Sequence, residues 1–454
     1  MTNLILAQAS KLLEIFKQEL FNNSQFPSIS IQFQHIRQQS KQYLDLLADH
    51  LINQKHYYDI QIRILKNKLL GDKGYKILAQ SLKAQSKVQI IKLYLENHVI
   101  LGFLGYFLYR KLQNLKEIFD LAIIINGNNY IRNDGLKYLS RIFPQLPKLK
   151  RLQIQIAQPN RYDQIGVIEI YGNIKILGVE TIAQALLSLT NLQILNFRIN
   201  DGLGLIEGAK DLAFALGQLV ELKQLKFSIS PQNFINSEIQ VEFSNSFRNL
   251  KKIESFQIEG LYFLDKQSII SFTDIFNGLS QLKKLSLQIE SSKINGQYAV
   301  LSLSNSLKNL ENLSDFQITI NDSCNIGVEG SLALAQAIKF MKKLTKLSIF
   351  IDRNNKIGCK GAISIGEALE ELKNQGFQNQ IQVVTIICTK KELLQQYNVF
   401  NKYQAQMNYM YRLRLTINLK YSMSAKIYLS LVICKYQIMI SMIMQLLALQ
   451  NFKV

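Results

Sequence analysis

The sequence predicts an α/β fold, a solenoid of stacked strand–turn–helix units that share a parallel β-sheet. Three observations carry this prediction. An equivalent apolar position recurs along most of the chain at intervals close to 30 residues. Each copy opens with the period-two alternation of a strand that has one buried face, and then continues with apolar pairs at i and i+4, the spacing of an amphipathic helix. One such unit cannot bury both faces alone, whereas stacked units form a continuous core.

The strand motif recurs in segments such as LTNLQILNFRI from Leu189 and MKKLTKLSIFI from Met341. The equivalent apolar positions are separated by 31, 28, 31, 43, 30, 31, 29, 31 and 31 residues. They are Ile62, Leu93, Leu121, Leu152, Leu195, Leu225, Phe256, Leu285, Phe316 and Leu347. We expect parallel strands at these positions, with Leu225, Leu285 and Leu347 buried beneath helices. A further strand is predicted at residues 380–387.

The helical part of each copy has its own recurring pattern. Examples are GVETIAQAL from Gly178 and GSLALAQAI from Gly330. Alanine or serine at the close-packed positions lets the helix approach the sheet. The leading glycine suits a turn that needs a positive φ angle.

Two copies, residues 310–338 and 341–369, share a further motif. They contain Asn325-Ile326-Gly327 followed by Gly330, and Lys356-Ile357-Gly358 followed by Gly361. With this motif, the chain from Tyr57 to Thr389 resembles the leucine-rich-repeat family, in its ribonuclease-inhibitor-like class with a full helix in each repeat.

The resemblance implies a horseshoe with the parallel sheet on the concave side and the helices on the convex side. The strand pattern here is LxIxI more often than the family's LxLxxN, so the family's asparagine ladder is incomplete. Asn200, Asn321 and Asn354 lie at or near its positions.

Three regions are predicted: an N-terminal helical cap at 1–56, the solenoid at 57–389, and a basic, methionine-rich, hydrophobic tail at 390–454. The tail has no acidic residue after Glu392. Its segment from Ile427 to Leu449 has the length of a membrane span, but a lysine near its centre, Lys435, is costly in a bilayer. An irregular tail, a hydrophobic cap or partner helix, and a true span are the three interpretations.

The motifs of common enzyme classes are missing from the sequence. It contains no GxSxG, no phosphate-binding G-x-x-x-x-G-K-[ST] and no HExxH. Gly202, Gly204 and Gly208 resemble a dinucleotide fingerprint, but the third glycine is one residue late and the same position holds glycine in other repeats. We therefore predict no catalytic, cofactor or metal site.

The four cysteines lie far apart, without a CxxC pair or a secretory leader, which indicates reduced thiols and a cytoplasmic protein. Cys324 and Cys359 are expected at comparable places in successive repeats, as small buried residues near the turn.

The outward positions of the predicted strands form the candidate binding surface. They are mostly uncharged and hydrogen-bonding, which suits a protein or peptide partner better than a phosphate backbone. The predicted contact residues there are Arg198, Lys226, Gln257, Gln288, Gln317 and Phe350. An insertion at residues 159–172 adds Arg161 and Tyr162 at its tip.

The sequence thus predicts a non-catalytic protein–protein interaction scaffold. Two alternatives are a nucleic-acid-associated basic repeat protein, motivated by the formal net charge of +20, and a membrane-tethered repeat protein that uses residues 427–449. The identity of the partner and the oligomeric state stay open at this point.

Overall fold

The computed structural model describes part of the chain, in which strands and helices alternate. The described residues are 3–6, 28–34, 40–54, 56–65, 71–96, 104–112, 115–126, 133–157, 176–200, 205–229, 237–263, 265–290, 296–321, 323–352, 354–374, 381–388 and 413–417. The chain divides into two compact units, residues 1–253 and 254–454. Each unit is an α/β repeat array with an open sheet.

In unit 1 every strand pairs in parallel with the next one along the chain. The strands are β1 Asn3–Leu6, β2 Ser28–Gln34, β3 Asp59–Leu65, β4 Ile90–Glu96, β5 Asp120–Asn126, β6 Arg151–Ala157, β7 Ile194–Asn200 and β8 Gln224–Ile229. The helices between and after them are α1 Ser40–Asn53, α2 Gly71–Lys83, α3 Leu104–Leu112, α4 Asn133–Ser140, α5 Ile176–Leu186, α6 Leu205–Gly217 and α7 Ser237–Phe247.

Unit 2 continues the same alternation and ends on a strand that runs the other way. Its strands are β9 Ser255–Leu261, β10 Lys284–Ile289, β11 Asp315–Ile320, β12 Lys346–Ile351, β13 Ile381–Cys388 and β14 Leu413–Ile417. Its helices are α8 Lys266–Thr273, α9 Gly296–Leu307, α10 Gly327–Phe340 and α11 Gly358–Asn374. Strands β9 to β13 pair in parallel in chain order, whereas β14 pairs antiparallel with β13.

The core of each unit lies between the sheet and the helices. Alternate strand residues are buried, as the period-two pattern predicts, and Leu225, Leu285 and Leu347 are at most 2% exposed. In unit 1 the ring of Phe227 packs against Phe197, Phe243 and Phe247 at centroid distances of 6.1, 5.1 and 5.6 Å. The predicted fold class and the core leucines are therefore confirmed.

The repeat register differs from the sequence-based one near the N-terminus of the array. Leu121 pairs with Ile91, and Ile91 with Ile60, so these residues are equivalent to Leu152 and Leu195. The alignment through Ile62 and Leu93 was wrong by two residues. Because the strand period is two, that slip leaves the buried face unchanged.

The first strands also lie further toward the N-terminus than residue 57. Within residues 1–56, described as a helical cap by the sequence analysis, the structure contains β1 and β2 as well as α1. Strand β2 pairs with β3 in the same parallel sense as the later repeats.

The glycines of the turn regions take places that the sequence did not predict, whereas Cys324 is buried near the turn as predicted. Gly330 lies inside α10, and the positive φ angles belong instead to Gly327 and Gly358, at 66° and 60°. With the register offset of 31 residues between β11 and β12, Cys324 is equivalent to Asn355 rather than to Cys359. The thiol of Cys324 is buried and donates toward the carbonyl of Ile289 at 3.7 Å.

An ion-pair row follows the edge where the strands begin. Lys148 contacts Glu117 at 2.6 Å, Lys252 contacts Glu221 at 2.6 Å, and Lys343 donates to the side chain of Asn312 at 2.7 Å. In each case the two residues are 31 positions apart, one repeat from the next. These side chains are exposed, so each pair contributes only about 0.2–1 kcal/mol.

A histidine sits against a buried tyrosine at the N-terminal end of the array. The Nε2 atom of His50 lies 2.6 Å from the hydroxyl of Tyr57, and the ring of His56 lies 4.5 Å from that of Tyr57. Burial raises the pKa of Tyr57 to about 12, so its hydroxyl keeps its proton and can donate to a neutral His50. Burial, and then the charge of His56, lowers the pKa of His50 below 6.5.

We expect this arrangement to weaken the protein on acidification. The unfolded chain takes up a proton at His50 near pH 6.5, before the folded protein does, so stability falls as the pH drops through that range to the lowered pKa. Thermal melting between pH 7.5 and 5 should show this decline, and His50→Gln should reduce it. His56→Gln, the matched control, should keep most of it. An identical pH profile for His50→Gln and the wild type contradicts the prediction.

Candidate functional site

The outward-facing side chains of unit 1 form two rows across its strands. The residue pairing between strands defines both rows. The first row is Gln61, Lys92, Ala122, Gln153, Asn196 and Lys226. The second row contains Arg63, Tyr94, Ile124, Arg198 and Ser228. Since neighbouring strands lie about 4.8 Å apart, each row presents a new side chain at that spacing.

Two predicted contact residues meet at the β8 end of these rows. Arg198 and Lys226 lie on the neighbouring strands β7 and β8, and both are half-buried. Burial lowers the pKa of Arg198. Burial, and then the positive charge of Arg198, lowers the pKa of Lys226. The two cations are therefore held close together at a cost in electrostatic free energy.

The β3–β4 end of the rows is also cationic. The guanidinium carbon of Arg63 stands 4.5 Å from the centre of the Tyr94 ring, a cation–π contact. Lys92 lies in the neighbouring row, near the carboxylate of Asp59. Burial raises the pKa of Asp59, while the amide of Gln61 at 3.2 Å and the charge of Lys92 act in the opposite direction.

The sequence analysis missed Arg63, Lys92 and Tyr94. They lie in the copies around Ile62 and Leu93, and the outward row was read only from Gln153 onward. The alternation that places Gln153 outward also places Arg63 and Tyr94 outward, so the same pattern contained the signal.

Unit 2 has two outward rows as well, and their paired residues are uncharged. Gln257, Ser286, Gln317 and Ser348 pair across β9 to β12 in one row, and Gln288, Thr319 and Phe350 pair across β10 to β12 in the other. The single predicted row of contact residues is thus two rows. Gln317 is exposed, and the other predicted residues of unit 2 are half-buried.

The amides in unit 2 hold carboxylates on the same strand. Gln257 donates to Glu259 at 2.9 Å, and Gln288 donates to Glu290 at 2.8 Å. Glu290 also accepts a hydrogen bond from Asn321 at 2.7 Å. These glutamates are thereby fixed on the outward face.

Several other predicted features can be placed. Arg161, Tyr162 and the whole insertion at 159–172 lie outside the described residues, as does the segment 427–449. No helix among the described residues is long and apolar enough to cross a membrane. In that same part of the chain, no group of three His, Cys, Asp or Glu side chains is placed to hold a metal ion.

Unit 1 also contains a groove of about 670 Å³. It lies along the edge where the strands begin, and Glu117 and Lys148 in its wall are paired with each other. Its lining is Gln89, Glu117, Phe119, Pro147, Lys148, Lys150, Asn191, Gln193 and Glu221. The strand-face rows remain the better candidate because their two half-buried cations repel each other.

Comparison with known proteins identifies no family for this chain. No protein-family model matches the chain, and no curated protein matches it. Among solved structures, it is similar to a Bacteroides fragilis protein determined by a structural-genomics consortium. The identity is 10%, the match covers 69% of this chain and 75% of that one, and the TM-score is 0.36. A similarity at this level carries no argument about function.

Proposed function

We propose that this chain is a leucine-rich-repeat protein of the ribonuclease-inhibitor-like class. The motif around Gly327 and Gly358 supports this assignment. So does Asn355, which is 1% exposed and donates to the carbonyls of Asn321 and Asp352 at 3.0 and 2.8 Å. That is the role of an asparagine ladder, in which a buried amide bonds main-chain carbonyls at the turn. The residue is Asn355, next to the expected Asn354, whose φ angle is positive at 60°.

We further propose that the protein is a non-catalytic interaction scaffold that binds a protein or peptide partner through the outward faces of its strands. The observation that carries this proposal is the continuity of the rows. Within each unit, successive parallel strands place half-exposed polar, aromatic and charged side chains side by side over several repeats, which gives an extended surface suited to a large ligand.

The partner-binding prediction is tested with point variants of the full chain. Aromatic and arginine side chains tend to dominate the free energy of protein interfaces. Phe350→Ala and Arg198→Ala are therefore expected to weaken binding by about tenfold or more, equivalent to about 1.4 kcal/mol. Gln257→Ala and Gln288→Ala, whose amides already bond Glu259 and Glu290, should change affinity much less.

The measurement is a titration of the partner, identified by affinity purification and mass spectrometry, at two salt concentrations. A protein partner should show moderate salt dependence. A nucleic acid should lose orders of magnitude in affinity as salt rises. A steep salt slope together with no effect of Phe350→Ala contradicts the proposal and favours the nucleic-acid alternative.

A further inference from the structure

In the two rows described above, the cations on the strand face of unit 1 are grouped at its two ends. In the first row the cations are Lys92 on β4 and Lys226 on β8. In the second row they are Arg63 on β3 and Arg198 on β7. Each row therefore carries two cations four strands apart, about 19 Å at a strand spacing of about 4.8 Å.

The middle of this face is neutral overall, because Arg151 at the start of β6 is paired with Asp120 on β5 at 3.2 Å. Ala122 and Ile124 on β5 face outward and are 1% and 7% exposed. Gln153 on β6 and Asn196 on β7 add half-buried amides. A ligand that crosses the strands would meet cations, then an uncharged, hydrogen-bonding stretch, and then cations again.

Arg198 and Lys226 form the first of the two poles. Both side chains are half-buried beside Ser228, which is 5% exposed, and the charge of Arg198 works against that of Lys226. An anion placed between them would relieve this repulsion and accept charge-assisted hydrogen bonds from both. At the other pole, the carboxylate of Asp59 interacts with the charge of Lys92.

A nucleic acid fits this pattern less well than an acidic peptide. A phosphate backbone carries charge at every nucleotide and is best matched by cations along the whole path. Here the described outward residues of β5 and β6 include no cation in either row. The ring of Tyr94 is already covered by Arg63, so it is not open for base stacking. Amide side chains in the middle suit the main-chain groups of a peptide.

We propose that the strand face of unit 1 binds an extended acidic segment of a partner protein, with one cluster of carboxylates at Arg198 and Lys226 and a second at Arg63 and Lys92. At about 3.3 Å per residue, 19 Å corresponds to an offset of about six residues from one acidic cluster to the other. The residues between them face the half-buried amides of Gln153 and Asn196, which suit uncharged side chains and the main chain of a peptide. This inference rests on the proposed function and specifies the chemistry of the ligand.

The test uses the full chain and a fluorescein-labelled synthetic peptide, Glu-Glu-Ser-Leu-Ser-Ser-Glu-Glu, in a fluorescence-anisotropy titration. A second peptide has the same composition with its four glutamates together in the middle. We expect the first peptide to bind about tenfold or more tightly than the second. The double variant Arg198→Gln/Lys226→Gln should weaken binding of the first peptide by about tenfold or more.

The matched control is Lys223→Gln/Lys251→Gln, which removes the same charge from exposed positions of unit 1. It should change affinity less than about twofold, since exposed charges act weakly at a distance in salt. The melting temperature of the free Arg198→Gln/Lys226→Gln protein should stay equal or rise, because the repulsion between the cations is gone. A purely structural role for these residues would lower it.

Equal binding of the two peptides overturns the inference, and so do equal effects of the two double variants on peptide affinity. Tighter and steeply salt-dependent binding of a single-stranded oligonucleotide of the same charge also overturns it. Its failure can be told apart from failure of the proposed function. A natural partner that depends on Phe350 or Arg198 but does not compete with the acidic peptide overturns only this inference. A partner indifferent to every strand-face variant overturns the proposed function.

Discussion

Replacing Phe227 with alanine is expected to lower the free energy of unfolding by about 3–5 kcal/mol. Phe227 is 1% exposed and contacts three other rings, Phe197 on the neighbouring strand and Phe243 and Phe247 on α7. Its loss would leave a cavity between sheet and helix, and the surrounding rings belong to two different repeats. Chemical denaturation followed by circular dichroism measures the effect.

The matched control for this change is Phe214→Ala. Phe214 lies on α6 of the same unit but is 59% exposed. The same atoms are removed without a cavity, so the loss should be below about 1 kcal/mol. Similar losses for the two variants would mean that the rings between β8 and α7 are not a packed core.

The second large effect is expected at Gly296, the first residue of α9. A Cβ atom added there would lie 2.0 Å from the carbonyl oxygen of Cys324, which also accepts a hydrogen bond from the Gly296 amide at 3.1 Å. Both groups belong to the backbone, so no side chain can move aside. Gly296→Ala should therefore shift the turn before α10 and cost about 3 kcal/mol or more, from overpacking and a lost buried hydrogen bond.

Gly330→Ala is the control for Gly296→Ala. The nearest atom to a Cβ added at Gly330 is 3.4 Å away, and the equivalent residue one repeat earlier is already alanine, Ala299. Alanine also favours a helix over glycine by up to about 1 kcal/mol. Melting temperatures should show Gly330→Ala neutral or stabilising. If Gly296→Ala is equally harmless, the close approach between these repeats is not tight.

The repeat period and the strand alternation were enough to predict the parallel arrangement of β6 to β8 and of β9 to β12. Both signals can be read within a short stretch of sequence, and each copy, such as those around Leu195 and Leu347, contains them. The register near Ile60 and Ile91 was harder, because those strands are apolar at several alternate positions and a slip of two residues keeps the same face buried. The glycine pattern was read as a turn signal, although Gly330 lies within a helix that packs closely on its neighbour.

The binding surface was less predictable than the fold. Alternation along one strand shows that Arg198 and Lys226 both face outward. It does not show that they are close together, since that depends on how β7 and β8 are paired.

The buried asparagine in the turn before α11 was also difficult to predict from the sequence. The alternation of positive φ angles at Asn354 and Lys356 turns the side chain of Asn355 inward, and sequence spacing alone did not distinguish Asn355 from Asn354.

The ion-pair row at the strand-start edge bears on how such an array can change its copy number. Two ion pairs link adjacent repeats, Glu117 with Lys148 and Glu221 with Lys252. Asn191 lies at the equivalent position of the repeat between these two pairs. A recombination event that removed one repeat of an ion-paired set would leave the other charged residue beside a neutral or like-charged neighbour. Removal of both repeats would leave the other ion pair intact. Because each contact is weak, this asymmetry would bias rather than forbid single-module gains and losses, and expansion in steps of two modules would be the least perturbing route.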